Sequence, residues 1–224
     1  MTFSIIARCP RTGQFGIGAA TAVPAVGKLL THAAAGVGAV ATQAKLNPYI
    51  GIDGLRHLGE GASAASVRDR LAAGDPRREE RQFAVIDGTG ATAAFTGEEC
   101  IPWAGDLAGA GFSVQGNRLA GPEVLEAAAG AFMRGAGLSL ADRLLEALAA
   151  GDAKGGDTKG EISATIYVVD REEYPLWDIR VDEHSHPIRE LRRLHGIFTE
   201  KLLPEILSMP SRRDPAGKAR EEPV

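Results

Sequence analysis

An α/β chain of two packed sheets between helix layers is the fold this sequence predicts, and three observations carry it. Segments alternate in the order strands, two helices, strands, two helices, two strands and a last helix. Most of the strands are apolar on both faces, as sheets covered on both sides require. The chain holds 28 glycines and many alanines against 5% aromatics, which lets backbone layers pack closely around small side chains.

Residues Thr2 to Arg8 alternate, and Pro10 to Gly13 read as a turn into a glycine-rich second strand, Gln14 to Thr21. A third strand is expected over Gly36 to Gln43. From Ile52 the period becomes helical, with Leu55 and Leu58 three apart. Ser63 then caps a helix carrying Val67 and Leu71 that stops at Gly74. Arg81 to Ile86 and Ala91 to Thr96 flank Asp87-Gly88, a hairpin signal, and Phe112 to Gln115 is a further short strand. Gly121-Pro122 opens a helix striped with Val124, Leu125, Ala128 and Phe132, proline being favoured in a first helical turn. Ser139 caps the next, with Asp142 answering three residues on and Gly151 ending it. Strands Ile162 to Val169 and Leu176 to Val181 precede an amphipathic helix from Pro187 to about Leu207. One domain over 1–208 is expected, followed by a disordered tail, 209–224.

Composition narrows the function classes. With 44% hydrophobic and 24% charged residues and a net charge of −4, the chain has no basic surplus for nucleic acid. No segment approaches the roughly 18 apolar residues of a membrane span, and MTFSIIARCPRTG lacks a cationic start with a long apolar run, so a cytoplasmic protein is expected. Cys9 and Cys100 stand far apart without a CxxC pair, which fits a reducing compartment. His184 and His186, with Asp182, are the nearest thing to a metal cluster; two histidines at a strand exit are more often solvent-facing, and no metal or cofactor is assigned. The GxG pieces at Gly16 and Gly36 lack a dinucleotide-binding context.

The opening MTFSIIAR, GVGAVATQA with Asn47-Pro48 beyond it, FTGEEC, VQGNRLAGPEVLEAA, GGDTKGEISA and WDIRVDEH together resemble the bacterial family catalogued as domain of unknown function 1028. The resemblance covers Thr2 to about Leu194. That family is grouped with the N-terminal-nucleophile (Ntn) hydrolases, so the resemblance implies a four-layer α-β-β-α sandwich of two mainly antiparallel sheets. It also implies an amidohydrolase acting on a small molecule or short peptide.

For such chemistry Thr2 is the candidate nucleophile. Removal of Met1 leaves a hydroxyl and a free amine on one residue. An α-amine titrates near pH ~8, so it can take the proton as the hydroxyl attacks a carbonyl. The resemblance adds Asp157 and Ser163, beside a glycine-rich loop, as groups orienting the amine, with Lys159 next to them to offset charge. Gln43, Ala44, Gly116 and Asn117 lie where strand-end NH groups form an oxyanion hole, and Asn47 where a side chain contacts substrate. Each of these also reads as a cap, turn or strand residue. The second strand carries no carboxylate where proteasome-like relatives have one, and Lys28 reads as a solvated loop lysine. An inactive binding or scaffold protein, and a metal-dependent hydrolase, are the alternatives. Arg8 shares the Thr2 face but sits about 20 Å along the strand. Open sheet edges predict a homodimer.

Overall fold

A computed structural model describes residues 2–218 of the chain; Met1 and residues 219–224 lie outside the described residues. Ten strands and six helices follow one another there: β1 (Thr2–Arg8), β2 (Phe15–Thr21), β3 (Thr31–Ala34), β4 (Gly38–Ala44), α1 (Pro48–Gly59), α2 (Ala64–Gly74), β5 (Arg81–Asp87), β6 (Thr92–Thr96), β7 (Gly105–Gly109), β8 (Phe112–Asn117), α3 (Glu123–Arg134), α4 (Leu140–Asp152), β9 (Ser163–Val169), β10 (Trp177–Val181), α5 (Pro187–Lys201) and α6 (Leu203–Ser208). Every strand pair is antiparallel. A six-stranded sheet runs β10-β9-β2-β1-β8-β7 and a four-stranded one β3-β4-β5-β6.

Alternation along β1 sorts its side chains between two apolar layers. Phe3, Ile5 and Ala7 join Leu125, Phe132, Leu144 and Leu148 in the core under α3 and α4. Ile6 points the other way, with Phe15, Ile17, Ala39, Ala41, Ala84 and Ile86, into the core between the sheets. A third core, Val40, Val67, Leu71, Phe83 and Val85, lies under α1 and α2. Three cores separate four layers, helices, sheet, sheet and helices, which is the expected sandwich.

Gly16 of β2 has a packing reason. A Cβ on Gly16 would stand 2.8 Å from Leu144 Cδ1, so a larger residue there would make the α4 leucines shift. The helix starts were legible from caps: Ser63 Oγ accepts from Ser66 N, and Ser139 Oγ from Asp142 N at 3.1 Å.

Other boundaries moved. Helix α1 begins at Pro48, four residues before the expected Ile52, because Asn47 is its cap and accepts from Tyr49 N. Strand β4 runs Gly38–Ala44 and β8 reaches Asn117. Strands β3 and β7 were not read from the sequence; both are short edge strands with no fully buried residue, so their periodicity is weak. The last helix divides into α5 and α6, since Pro204 lacks the N–H that a continuous helix needs there. Residues 209–218 form turns tied to the β9–β10 loop, where Tyr174 Oη donates to Pro210 O and Arg212 N to Glu172 Oε2. No helix of the described residues is long and apolar enough to cross a membrane.

Candidate active site

Strand β1 is interior to its sheet, and Thr2, Ser4, Ile6 and Arg8 share the face toward the second sheet. Its first residue is registered with Asn117 on β8 and Thr21 on β2, and Thr21 with Ser163 on β9. Four short polar residues thus form one row across four strands at one end of the sandwich. Thr2 Oγ1 donates to Thr21 Oγ1 at 3.0 Å, and Thr2 is only 4% exposed.

Above this row opens a cavity of about 250 Å³ lined by Thr2, Lys28, Gln43, Ala44 and the segment from Val23 to Leu30. Of the expected site residues, three therefore share one space: Thr2, Gln43 and Ala44. Lys28, read as a solvated lysine, is indeed exposed but stands at the rim of this cavity. Two lining residues, Ala25 (φ 57°) and Ala44 (φ 64°), hold left-handed backbone, and Arg118 (φ 52°), next to Asn117, does the same. These are the only non-glycine residues of positive φ among the described residues, and such conformations collect where a site is held against local preference.

Beneath Thr2 lies a buried amide network. Gln43 Nε2 donates to Gln82 Oε1 at 2.8 Å and to Thr2 O at 3.3 Å, while Gln43 Oε1 accepts from Ser4 Oγ at 2.6 Å. Gln115 Nε2 donates to the same Ser4 hydroxyl. Gln82 Oε1 also accepts from Asn117 Nδ2, and Gln82 Nε2 donates to Gly116 O at 2.8 Å and to Thr96 Oγ1. Gln43, Gln82, Gln115 and Asn117 are all at most 1% exposed. The network bolts the end of β1 to the opposite sheet, so the Asn117 side chain is committed to framework. Gly116 gives its carbonyl to the same network, and the space of a Cβ there is filled by Leu119. Gln82 and Ser4 were missed by sequence reading, although a glutamine inside the apolar run RQFAVID is the signal that finds one.

The remaining candidates divide. Ser163 Oγ donates to Val23 O at 2.7 Å and accepts from Val26 N, so it anchors the segment walling the cavity. Asp157 is buried, accepts from Lys159 N and pairs with Arg118 Nη2 at 3.3 Å; its Oδ2 has no partner among the described residues. Neither Asp157 nor Lys159, whose side chain is exposed, lines the cavity. Asn47 caps α1 and donates to Asp75 Oδ2, also away from the cavity. His184 Nδ1 accepts from His186 N, and no group of three or more metal-ligating side chains gathers among the described residues.

Glu161 closes the glycine-rich loop. Its Oε1 accepts from Asp157 N at 2.8 Å, and Gly156, at φ 41°, leaves room for it: a Cβ there would lie 1.9 Å from that oxygen. Burial, with Asp152 beside it, pushes the Glu161 carboxyl up to about 7. A carboxyl raised in the folded state favours folding while protonated. Stability is then fully present below the unfolded value near ~4.3 and is lost as pH rises through about 7. Denaturant titrations should show this fall, on the order of a few kcal/mol at most, between pH ~5 and ~8 in the parent, flattened in Glu161→Gln. Equal pH profiles for the two proteins would remove Glu161 as the cause.

A profile of the family described as of unknown function (DUF1028) matches residues 2–191. The fold is shared with the crystal structure of protein SPO2555 from Silicibacter pomeroyi, described with the same family, at a TM-score of 0.89 and 31% identity over 98% of this chain and 99% of that one. Comparison with curated proteins returned no match. The profile over most of the chain and the agreement along nearly all of both structures lead to one assignment: this chain belongs to the DUF1028 family.

Proposed function

We propose that the chain is an Ntn amidohydrolase that cleaves an amide of a small molecule or short peptide. The observation that carries the reading is the position of Thr2: first residue of an interior strand, hydroxyl held by Thr21, at the floor of a cavity. The α-β-β-α layering supports an Ntn-like fold. In the mechanism Met1 is removed and the Thr2 hydroxyl attacks the amide carbon while the Thr2 amine accepts its proton. The amine leaving group departs protonated, and water then hydrolyses the ester on Thr2. A cavity of about 250 Å³ lies just below the ~300 Å³ at which drug-sized sites begin, which suits a short acyl group. Lys28 at the rim offers that group a cationic neighbour.

Two buried free thiols, Cys9 and Cys100, fit a reducing, cytoplasmic setting. Intact-mass measurement of the native protein, followed by a panel of amide substrates, tests the assignment. A mass retaining Met1 on protein that hydrolyses amides would overturn the amine's role. A binding protein without chemistry is the reading that the carboxylate-free β2 favours, and it predicts an inert panel. Strands β10, β7, β3 and β6 leave four sheet edges, and we propose a homodimer that covers some of them. Light scattering at micromolar concentration should give twice the chain mass, and a monomer would refute this.

A further inference from the structure

Opposite Thr2, the far end of the same strand face carries Arg8, about 20 Å away at ~3.3 Å per residue. There a larger cavity, about 710 Å³, opens between the β1–β2 turn, the β9–β10 loop, α6 and the segment running on to Lys218. Its volume is in the range of small-molecule sites. Cationic residues outnumber acidic ones in its lining, with Arg8, Arg171, Arg212, Arg213 and Lys218 against Asp170, Glu172 and Asp214. Among the described residues, only Arg212 of those cations is engaged in an ion pair, with Glu173 outside the cavity. Arg8 Nε is buried and has no hydrogen-bond partner among the described residues, while its guanidinium sits 5.9 Å over the Phe15 ring.

A guanidinium keeps its charge at every accessible pH, so it needs acceptor oxygens, and its fork matches a carboxylate or phosphate. Phe15, Leu176, Leu207 and Met209 add an apolar part to the wall, beside the polar Thr12, Tyr174 and Ser211. We propose that this cavity is a second ligand site, separate from Thr2, which takes an amphipathic small molecule: an oxyanion head on Arg8 and an apolar body against Phe15, Leu207 and Met209. It depends on no step of the amide chemistry.

Calorimetry with the full-length protein tests it, using octanoate, octyl phosphate and inorganic phosphate as probes. Octanoate and octyl phosphate should both bind, inorganic phosphate much more weakly, and the tighter of the two alkyl probes identifies the preferred head. Arg8→Gln keeps a hydrogen-bonding end on a shorter, uncharged side chain, and should weaken the alkyl anions by roughly tenfold or more. Leu207→Asp alters a residue that is 58% exposed and so spares the fold; it should weaken them similarly by repulsion. Thr2→Ala, at the other end of the strand, should bind both as the parent does. No binding of either alkyl probe to the parent overturns the proposal. So does equal affinity in the parent and Leu207→Asp, whether or not Arg8→Gln folds.

Discussion

Thr2→Ala should abolish amide hydrolysis while leaving the fold in place. The variant keeps the amine and removes the attacking oxygen, so no acyl-enzyme forms. The structural cost is small, about 1 kcal/mol, because among the described residues the lost hydroxyl makes a single hydrogen bond, to Thr21. Thr2→Ser retains hydroxyl and amine and should keep partial activity, its rate lowered because the methyl no longer restricts the rotamer. An N-terminal extension that cannot be removed tests the base alone: the hydroxyl stays, the amine becomes an amide, and activity should vanish. Rates of all three equal to the parent's would make Thr2 an ordinary strand residue and move the search to Asp157 and its Arg118 partner.

The largest loss of stability is expected from Gln82→Leu. That side chain accepts from Gln43 and Asn117 and donates to Gly116 O and Thr96, in a layer where it is fully buried. Its removal strands several polar groups without water, at about 1–3 kcal/mol each, for a total of roughly 3–5 kcal/mol. For a chain of this length that lowers the melting temperature by about 10 °C. Gln43→Leu should cost a similar amount, and the double variant much less than the two together, because the remaining orphans are shared. Strict additivity in such a cycle would show that the amides act independently and that no network braces Thr2.

Much of the architecture was legible because its signals are local. Ser63 and Ser139 announce helices through their own hydroxyls, and Asp87-Gly88 announces a hairpin through its backbone. The alternation of β1 survives because each of its faces meets a separate core. Strands β3 and β7 were silent for the opposite reason: none of their residues is fully buried, so neither shows an apolar face in the sequence. The candidate site was legible at Thr2, Gln43 and Ala44, which lie at or next to strand ends and line one cavity. Roles were harder than positions. Asn117 and Ser163 sit in the same row as Thr2, yet one is absorbed by Gln82 and the other by the Val23–Val26 segment. Gln82 and Arg118 matter only through residues distant in the chain, and spacing carries no trace of such partnerships.

The wall formed by Val23 to Leu30 has a consequence for access. Val26 N is held by Ser163, Ala25 N by Asp182 O and Lys28 N by Ala25 O, so this connection has its amides tied at several points. A connection tied in this way is expected to exchange the Val26 and Ala25 amide protons slowly for a loop, which hydrogen exchange would check. The exposed Val23, Lys28 and Leu29 side chains of this connection line the cavity that holds Thr2. Under the proposed chemistry, the expectation is selection by cross-section at this doorway, with slender acyl chains hydrolysed faster than branched ones in a substrate panel.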